Sequence, residues 1–136
     1  MEKKVEVKQV SEREIWVGEN RMDLGEDNIL YITLVGEMDE KMAIAFIEAV
    51  QRLENMVDGK VNLFADINKA GKQSPVAREL YRERTEMSEK LGKVAIFGLH
   101  PVARVLASFV MEISQKKDMR FFKTKEEALA WLKGDE

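Results

Sequence analysis

The chain has 136 residues, 45% hydrophobic and 35% charged, with 22 basic against 25 acidic side chains, no cysteine and one histidine. That length buries a core without disulfides or a metal and predicts one domain over residues 1–136. The absent cysteines and lone histidine exclude or nearly exclude zinc sites, iron–sulfur clusters, thiol redox chemistry and cysteine nucleophiles, and no cofactor is implied. A net charge of −3 gives no bulk attraction to nucleic acid. The start, MEKKVEVKQV, lacks an apolar signal segment. No run approaches the ~20 apolar residues of a membrane span, so the expected location is the cytoplasm.

Short alternations at Val5 to Val10 and Ile15 to Val17 read as strand material, with a helical start as the rival reading. ENRMDLGEDN reads as a polar connection around Gly25, and Ile29 to Val35, ILYITLV, as a strand stopped by Gly36. Asp39 is placed to cap a helix running to about Val57, whose Met42, Phe46, Val50 and Leu53, widened by Ala43 and Ile47, form one apolar stripe. Asp58 and Gly59 end it.

Val61 to Ile67 reads as a strand buried on both faces, followed by a polar turn containing Gly71 and a helix opening at Ser74-Pro75. That helix shows a narrow stripe of Val76, Leu80, Met87 and Leu91, with Gly92 at its C-terminal end. Its charged run from Arg78 to Lys90 reads as a solvated face with Arg82–Glu86 and Glu86–Lys90 pairs. Val94 to Phe97 is a further strand, Pro101 to Lys117 a broadly apolar helix, Met119 to Phe122 a last strand. Thr124 and Glu127 form a capping box before a helix whose apolar face is Ala128, Leu129, Trp131 and Leu132. The alternation predicts an α/β fold, a single mixed, mostly parallel sheet of four to five strands with helices mainly on one side.

VAIFG before an apolar helix, then MRFFKTKEEALAWL, resembles the STAS and SpoIIAA-like families over Ile29 to Leu132. The resemblance implies the sheet just described, kinship with lipid-carrying CRAL-TRIO domains, and a binding or regulatory role without catalysis. In anti-sigma-factor antagonists a serine at the start of the helix after a central strand is phosphorylated. Ser74 occupies the matching neighbourhood, although KAGKQSPVA carries neither a preceding acid nor a following glycine.

The residues themselves offer several candidate sites. Ser74 is an N-cap by type, and with Lys69 and Lys72 nearby it also suits an anion or phosphoryl group at a helix N-terminus. AGKQS lacks P-loop spacing. Asp66, at a strand end, suits a turn cap or a general base. His100 and Arg104, at the start of the next helix, suit an anionic head group or plain exposure. The Pro101 to Ile113 surface fits the core, a homodimer face or the wall of a ligand cavity, with Phe109, Met111 and Trp131 as candidate liners. The expected role is that of a STAS-like binding or regulatory domain acting through protein contacts or a small, partly apolar, lipid-like ligand. A Ser74 phosphoswitch is the alternative, and an enzyme assembled from scattered residues such as Asp66 or His100 the third reading.

Overall fold

Four consecutive strands run parallel because each is joined to the next by a crossover long enough to bring the chain back to the same end of the sheet. A computed structural model describes residues 5–99 and 118–134. The expected helix over Pro101 to Lys117 falls outside the described residues, as do His100, Arg104, Phe109 and Met111. The order is β1 (Val7–Ser11), β2 (Glu14–Val17), β3 (Asn20–Leu24), β4 (Ile29–Met38), α1 (Glu40–Glu54), β5 (Val61–Gln73), α2 (Pro75–Met87), β6 (Leu91–Phe97), β7 (Met119–Phe122) and α3 (Lys125–Lys133). No helix among the described residues is long and apolar enough to cross a membrane.

The strands form one seven-stranded sheet in chain order, antiparallel from β1 to β4 and parallel from β4 to β7. Seven strands replace the expected four to five because ENRMDLGEDN is not a connection. Asn20, Met22 and Leu24 alternate inward and are buried, making β3. Asn20 looked like a turn residue, but its amide spans the hairpin, donating to Val17 O at 3.0 Å and accepting from Val35 N at 2.8 Å. On the other face of the hairpin Arg21 donates Nε and Nη2 to the Glu14 carboxylate, each at 3.1 Å, and Trp16 Nε1 donates to it at 2.7 Å. These bonds, Arg21's first, hold the Glu14 carboxyl below its ordinary range. The outermost strand, β1, is exposed and bulged between Gln9 and Ser11, which blunts the edge against pairing with other chains.

Period-two alternation in the strands sends side chains to two layers. Leu30, Ile32, Leu63, Ile67, Val94 and Ile96 face α1 and α2, where Ala43, Phe46, Val50, Leu53 and Ala77 complete the main core. Ile29, Phe64 and Ala95 face the opposite way and meet Ala128, Trp131 and Leu132 of α3. Asp39 caps α1, accepting from Met42 N at 2.8 Å, and Thr124 caps α3, accepting from Glu127 N at 3.2 Å, both as expected from sequence. α1 ends at Glu54, short of Val57, and Gly59 turns the chain at φ 82°.

Four expectations in the middle of the chain are corrected. Lys69 to Gln73 is strand rather than turn: β5 continues to Gln73, paired to β4 at Val35–Lys69, Gly36–Ala70 and Met38–Gln73 across two register shifts. β4 likewise passes Gly36, whose φ of +77° accommodates the irregularity, and reaches Met38. α2 stops at Met87, so Leu91 and Gly92 belong to β6. Its apolar stripe also differs, because Val76 and Met87 are exposed whereas Ala77 and Thr85 are buried.

The close approach of β4 and β5 rests on Gly71. A Cβ there would lie 2.9 to 3.1 Å from the backbone of Gly36 and Glu37. Gly71→Ala therefore forces the two strands apart and lowers stability by about 1–3 kcal/mol, read from chemical denaturation midpoints. A wild-type midpoint would show that the strands separate freely at this end.

Candidate functional site

Ser74 follows β5, Lys69 and Lys72 lie in its second half and Asp66 midway along it, and Ser74 and Asp66 have ordinary structural work there. Ser74 has extended backbone, its N–H donates to Met38 O at 2.9 Å, and its Oγ accepts from Ala77 N at 3.0 Å, capping α2 with Pro75 next in line. Asp66 Oδ1 accepts from Asn68 N at 3.0 Å and from Asn68 Nδ2 at 2.9 Å, within β5 at its first register shift rather than in a turn at the strand's end. Asn68 Oδ1 in turn accepts from Leu99 N at 2.6 Å, tying the middle of β5 to the chain just past β6. Lys69 and Lys72 are exposed. Because the described strands follow chain order without reversal, the sheet has no switch point between oppositely directed crossovers, the place where open α/β sheets usually make a ligand crevice.

Trp131 belongs to the packing of the second layer. It is 4% exposed, its ring lies 5.5 Å from that of Phe122, and the Lys93 ammonium and Arg120 guanidinium each sit 5.2 Å from its centroid. Asn62 fastens the same helix, donating to Leu132 O at 3.2 Å and accepting from Lys93 N at 2.8 Å.

The opposite layer holds an apolar cavity of about 140 Å³ between the sheet and the two helices α1 and α2. Its walls include Ile32, Phe46, Val50, Leu63, Ile67 and Val94, and Tyr81, Gln73, Thr85 and Arg84 form its polar margin. The Tyr81 ring meets Phe46 edge-on at 5.9 Å, and its hydroxyl donates to Gln73 Oε1 at 3.5 Å. Thr85 Oγ1 donates to Tyr81 O at 2.8 Å. Beyond Arg84 a second depression of about 550 Å³ lies between the C-terminal halves of α1 and α2, lined by Ile47, Gln51, Glu54, Leu80, Glu83 and Met87 among others.

A buried ion pair lines the outer depression, and of its two members only Arg84 also lines the cavity. Arg84 Nη2 is 2.5 Å from Glu54 Oε1, with side chains 10% and 2% exposed. The contact is ionic rather than an aligned hydrogen bond, and Glu54 Oε2 accepts no hydrogen bond. Arg84 therefore breaks the expectation that Arg78 to Lys90 is a solvated face. Within the same run Arg82 lies 4.0 Å from Glu79, and the Lys90 ammonium donates to Val57 O. A sequence signal did exist. Glu54 continues the Ala43, Ile47, Val50 stripe and Arg84 follows Ala77 and Tyr81, so opposite charges fall on the core faces of consecutive helices.

Burial pushes the Tyr81 phenol well above its ordinary range. Burial, then the bond its hydroxyl donates to Asp27 at 2.7 Å, pushes Tyr31 up to about 12. These are the only two tyrosines. A folded-state value above the unfolded one of ~10 contributes stability that is whole below pH ~10 and is lost as pH rises through the folded value. Tyrosinate absorbance is therefore expected to stay low at the ordinary phenol value and to rise only nearer pH 12 or with unfolding. A titration centred at the ordinary value would show both rings solvated.

Comparison with known proteins places these features in a family. The model of a domain of unknown function, DUF7793, matches residues 24–135. The chain belongs to this family. In structure, this DUF7793 chain is similar to an uncharacterized protein of the DUF3478 family with a SpoIIAA-like fold from Shewanella loihica PV-4. The TM-score is 0.62 at 17% identity over 83% of this chain and 91% of that one. It is also similar to the anti-sigma factor antagonist SpoIIAA in its unphosphorylated form, with TM-score 0.58 at 16% identity over 85% of this chain and 98% of that one. No curated protein matches. The DUF7793 chain thus has the SpoIIAA-like fold that its ending resembles. The cavity, the Glu54–Arg84 pair and Ser74 all lie within the residues the family model matches.

Proposed function

We propose that residues 1–136 act as one cytoplasmic, non-enzymatic, STAS-like binding and regulatory domain whose working part is the apolar cavity beneath α1 and α2. The observation that carries the reading is the cavity itself, about 140 Å³ bounded almost wholly by apolar side chains in the main core. Protein cores are close-packed, and an apolar pocket of this volume leaves its wall side chains short of packing partners, at a cost in stability. A small apolar or lipid-like ligand offsets that cost and, by binding only the folded chain, stabilises it. Such pockets, mostly apolar with a few polar groups at one end, are the usual form of small-molecule sites.

Thermal unfolding and native mass spectrometry with benzene, cyclohexane and short alcohols test this. A saturable rise in Tm is expected for the native chain and is lost in Ala65→Leu, which adds side-chain volume on the cavity wall. An unshifted Tm with every probe would overturn the reading.

Ser74 supports a second reading, because it is half-buried at the N-terminus of α2 with Lys69 and Lys72 exposed nearby on β5. One of the similar structures is an anti-sigma factor antagonist in its unphosphorylated form. A phosphoryl group on Ser74 brings about −1.5 to −2 charges to a helix start, where they are favoured, while replacing the Ala77 cap and changing the surface a partner meets. Ser74→Ala and Ser74→Asp are expected to differ in partner capture. Equal capture by both would remove the switch.

A further inference from the structure

We infer that the cavity recognises its ligand by apolar contact alone, and that the ligand is a monocyclic hydrocarbon, a ring of benzene or cyclohexane size without a hydrogen-bonding group, rather than a fatty acid or other lipid with a polar head. The inference rests on the cavity reading and names its chemical class. The volume sets the size. At about 140 Å³ the cavity is on the scale of the ~150 Å³ apolar cavity that takes up benzene, so a single ring fills it. The walls suit a ring as well. Phe46 and Tyr81 line the same space with their ring centroids 5.9 Å apart and their planes at 75°, beside the branched side chains of Ile32, Val50, Leu63 and Val94. A further ring packs there against faces and edges already held in the edge-to-face geometry that aromatic pairs prefer.

The polar margin decides what is excluded. Among the described residues it consists of Gln73, Tyr81, Thr85 and Arg84. The Tyr81 hydroxyl donates to Gln73 Oε1, the Gln73 amide donates to Gly71 O at 3.1 Å, and Thr85 Oγ1 donates to Tyr81 O. Arg84 Nη2 is closed against Glu54 Oε1 with essentially no accessible surface. Each of these groups already holds a partner, so a ligand hydroxyl or carboxylate that enters gives up its water and gains no hydrogen bond in return. A bare ring loses nothing of this kind. Its gain is the apolar area removed from water and the contacts it restores to the walls.

The test titrates the full chain with benzene, cyclohexane, phenol, cyclohexanol, naphthalene and decanoate by calorimetry, and uses intermolecular nuclear Overhauser contacts to Phe46, Val50 and Leu63 to place each bound probe. Benzene and cyclohexane are expected to bind and to touch those side chains, and phenol and cyclohexanol to bind roughly tenfold or more weakly. Naphthalene, too large for the space, and decanoate, whose head finds no free partner, are expected to make no contacts in the cavity. Ala65→Leu is expected to abolish benzene binding, and the contacts on the native chain keep the test decisive should that variant fail to fold. Phenol bound as tightly as benzene, or cyclohexanol as tightly as cyclohexane, overturns recognition by apolar contact alone and leaves the cavity reading standing. Contacts from decanoate overturn the exclusion of lipids, and contacts from naphthalene overturn the limit of one ring. Absence of binding by every probe overturns both readings together.

Discussion

Arg84→Met is expected to lower the free energy of unfolding by about 3–5 kcal/mol, because it strands the Glu54 carboxylate in a site where only 2% of its side chain is exposed. The cost comes from the charge left behind more than from the attraction lost. Desolvating two ions consumes most of their mutual attraction, so a buried pair is weakly stabilising when intact and strongly destabilising when halved. Glu54→Leu combined with Arg84→Met is therefore expected to recover most of the loss, since methionine also replaces the aliphatic stem that Arg84 lays along the cavity. Urea denaturation of the two single variants and the double variant gives the coupling directly. Single variants within about 0.5 kcal/mol of wild type would show that water reaches the pair.

Trp131→Ala is the second large effect, again about 3–5 kcal/mol, for a different reason. The ring is 4% exposed and occupies the centre of the small layer under α3, against Phe122 and under the Lys93 and Arg120 cations. Removing it opens a void in the layer where Ile29, Phe64 and Leu132, with Phe122 and Leu129 partly buried, pack around it. Trp131→Phe keeps part of the volume and is expected to retain more than half of that stability, whereas exposed Lys133→Ala stays within about 0.5 kcal/mol of wild type. A mild Trp131→Ala phenotype in the same denaturation series would mean that α3 is not anchored through this ring.

Where hydrophobic periodicity is strong, the architecture was legible before any coordinates. The β4 strand, the Asp39 and Thr124 caps, the opening of α2 at Ser74-Pro75 and the apolar face of α3 all follow from patterns that one local principle decides. The misread stretches are those where two principles compete. In β3, Asn, Arg and Asp carry turn propensity, but pairing on both sides and an inward Met22 overrule it. In the second half of β5, register shifts put Ile67, Ala70 and Gln73 inward at a spacing of three, which hides the period of two.

The candidate site was less legible for a related reason. Ser74 drew notice as a chemically able residue at a helix start, where it caps, and Asp66 at an expected strand end, where it instead bonds Asn68 within the longer β5. Arg84 fell within a charged run read as a solvated face, and Glu54 drew no notice, because long helices usually carry such residues outward. Only the meeting of α1 and α2 turns them toward each other. A cavity is invisible to periodicity altogether, since it is a property of how volumes fail to fill the space between layers.

A sheet whose spatial order equals its chain order also has a kinetic consequence. Every strand finds its partner in the next strand along the chain, so contact order is low for a seven-stranded sheet and no segment must be threaded between two others already paired. Pairing can spread outward from β4 and β5, and opening can run inward from β1 and β7, the two edges. Of the strands that floor the cavity, β4 and β5 are then the last to separate and β7 the first. A bound molecule there would lose its Met119 contact on β7 before the rest of its pocket, and would leave before global unfolding.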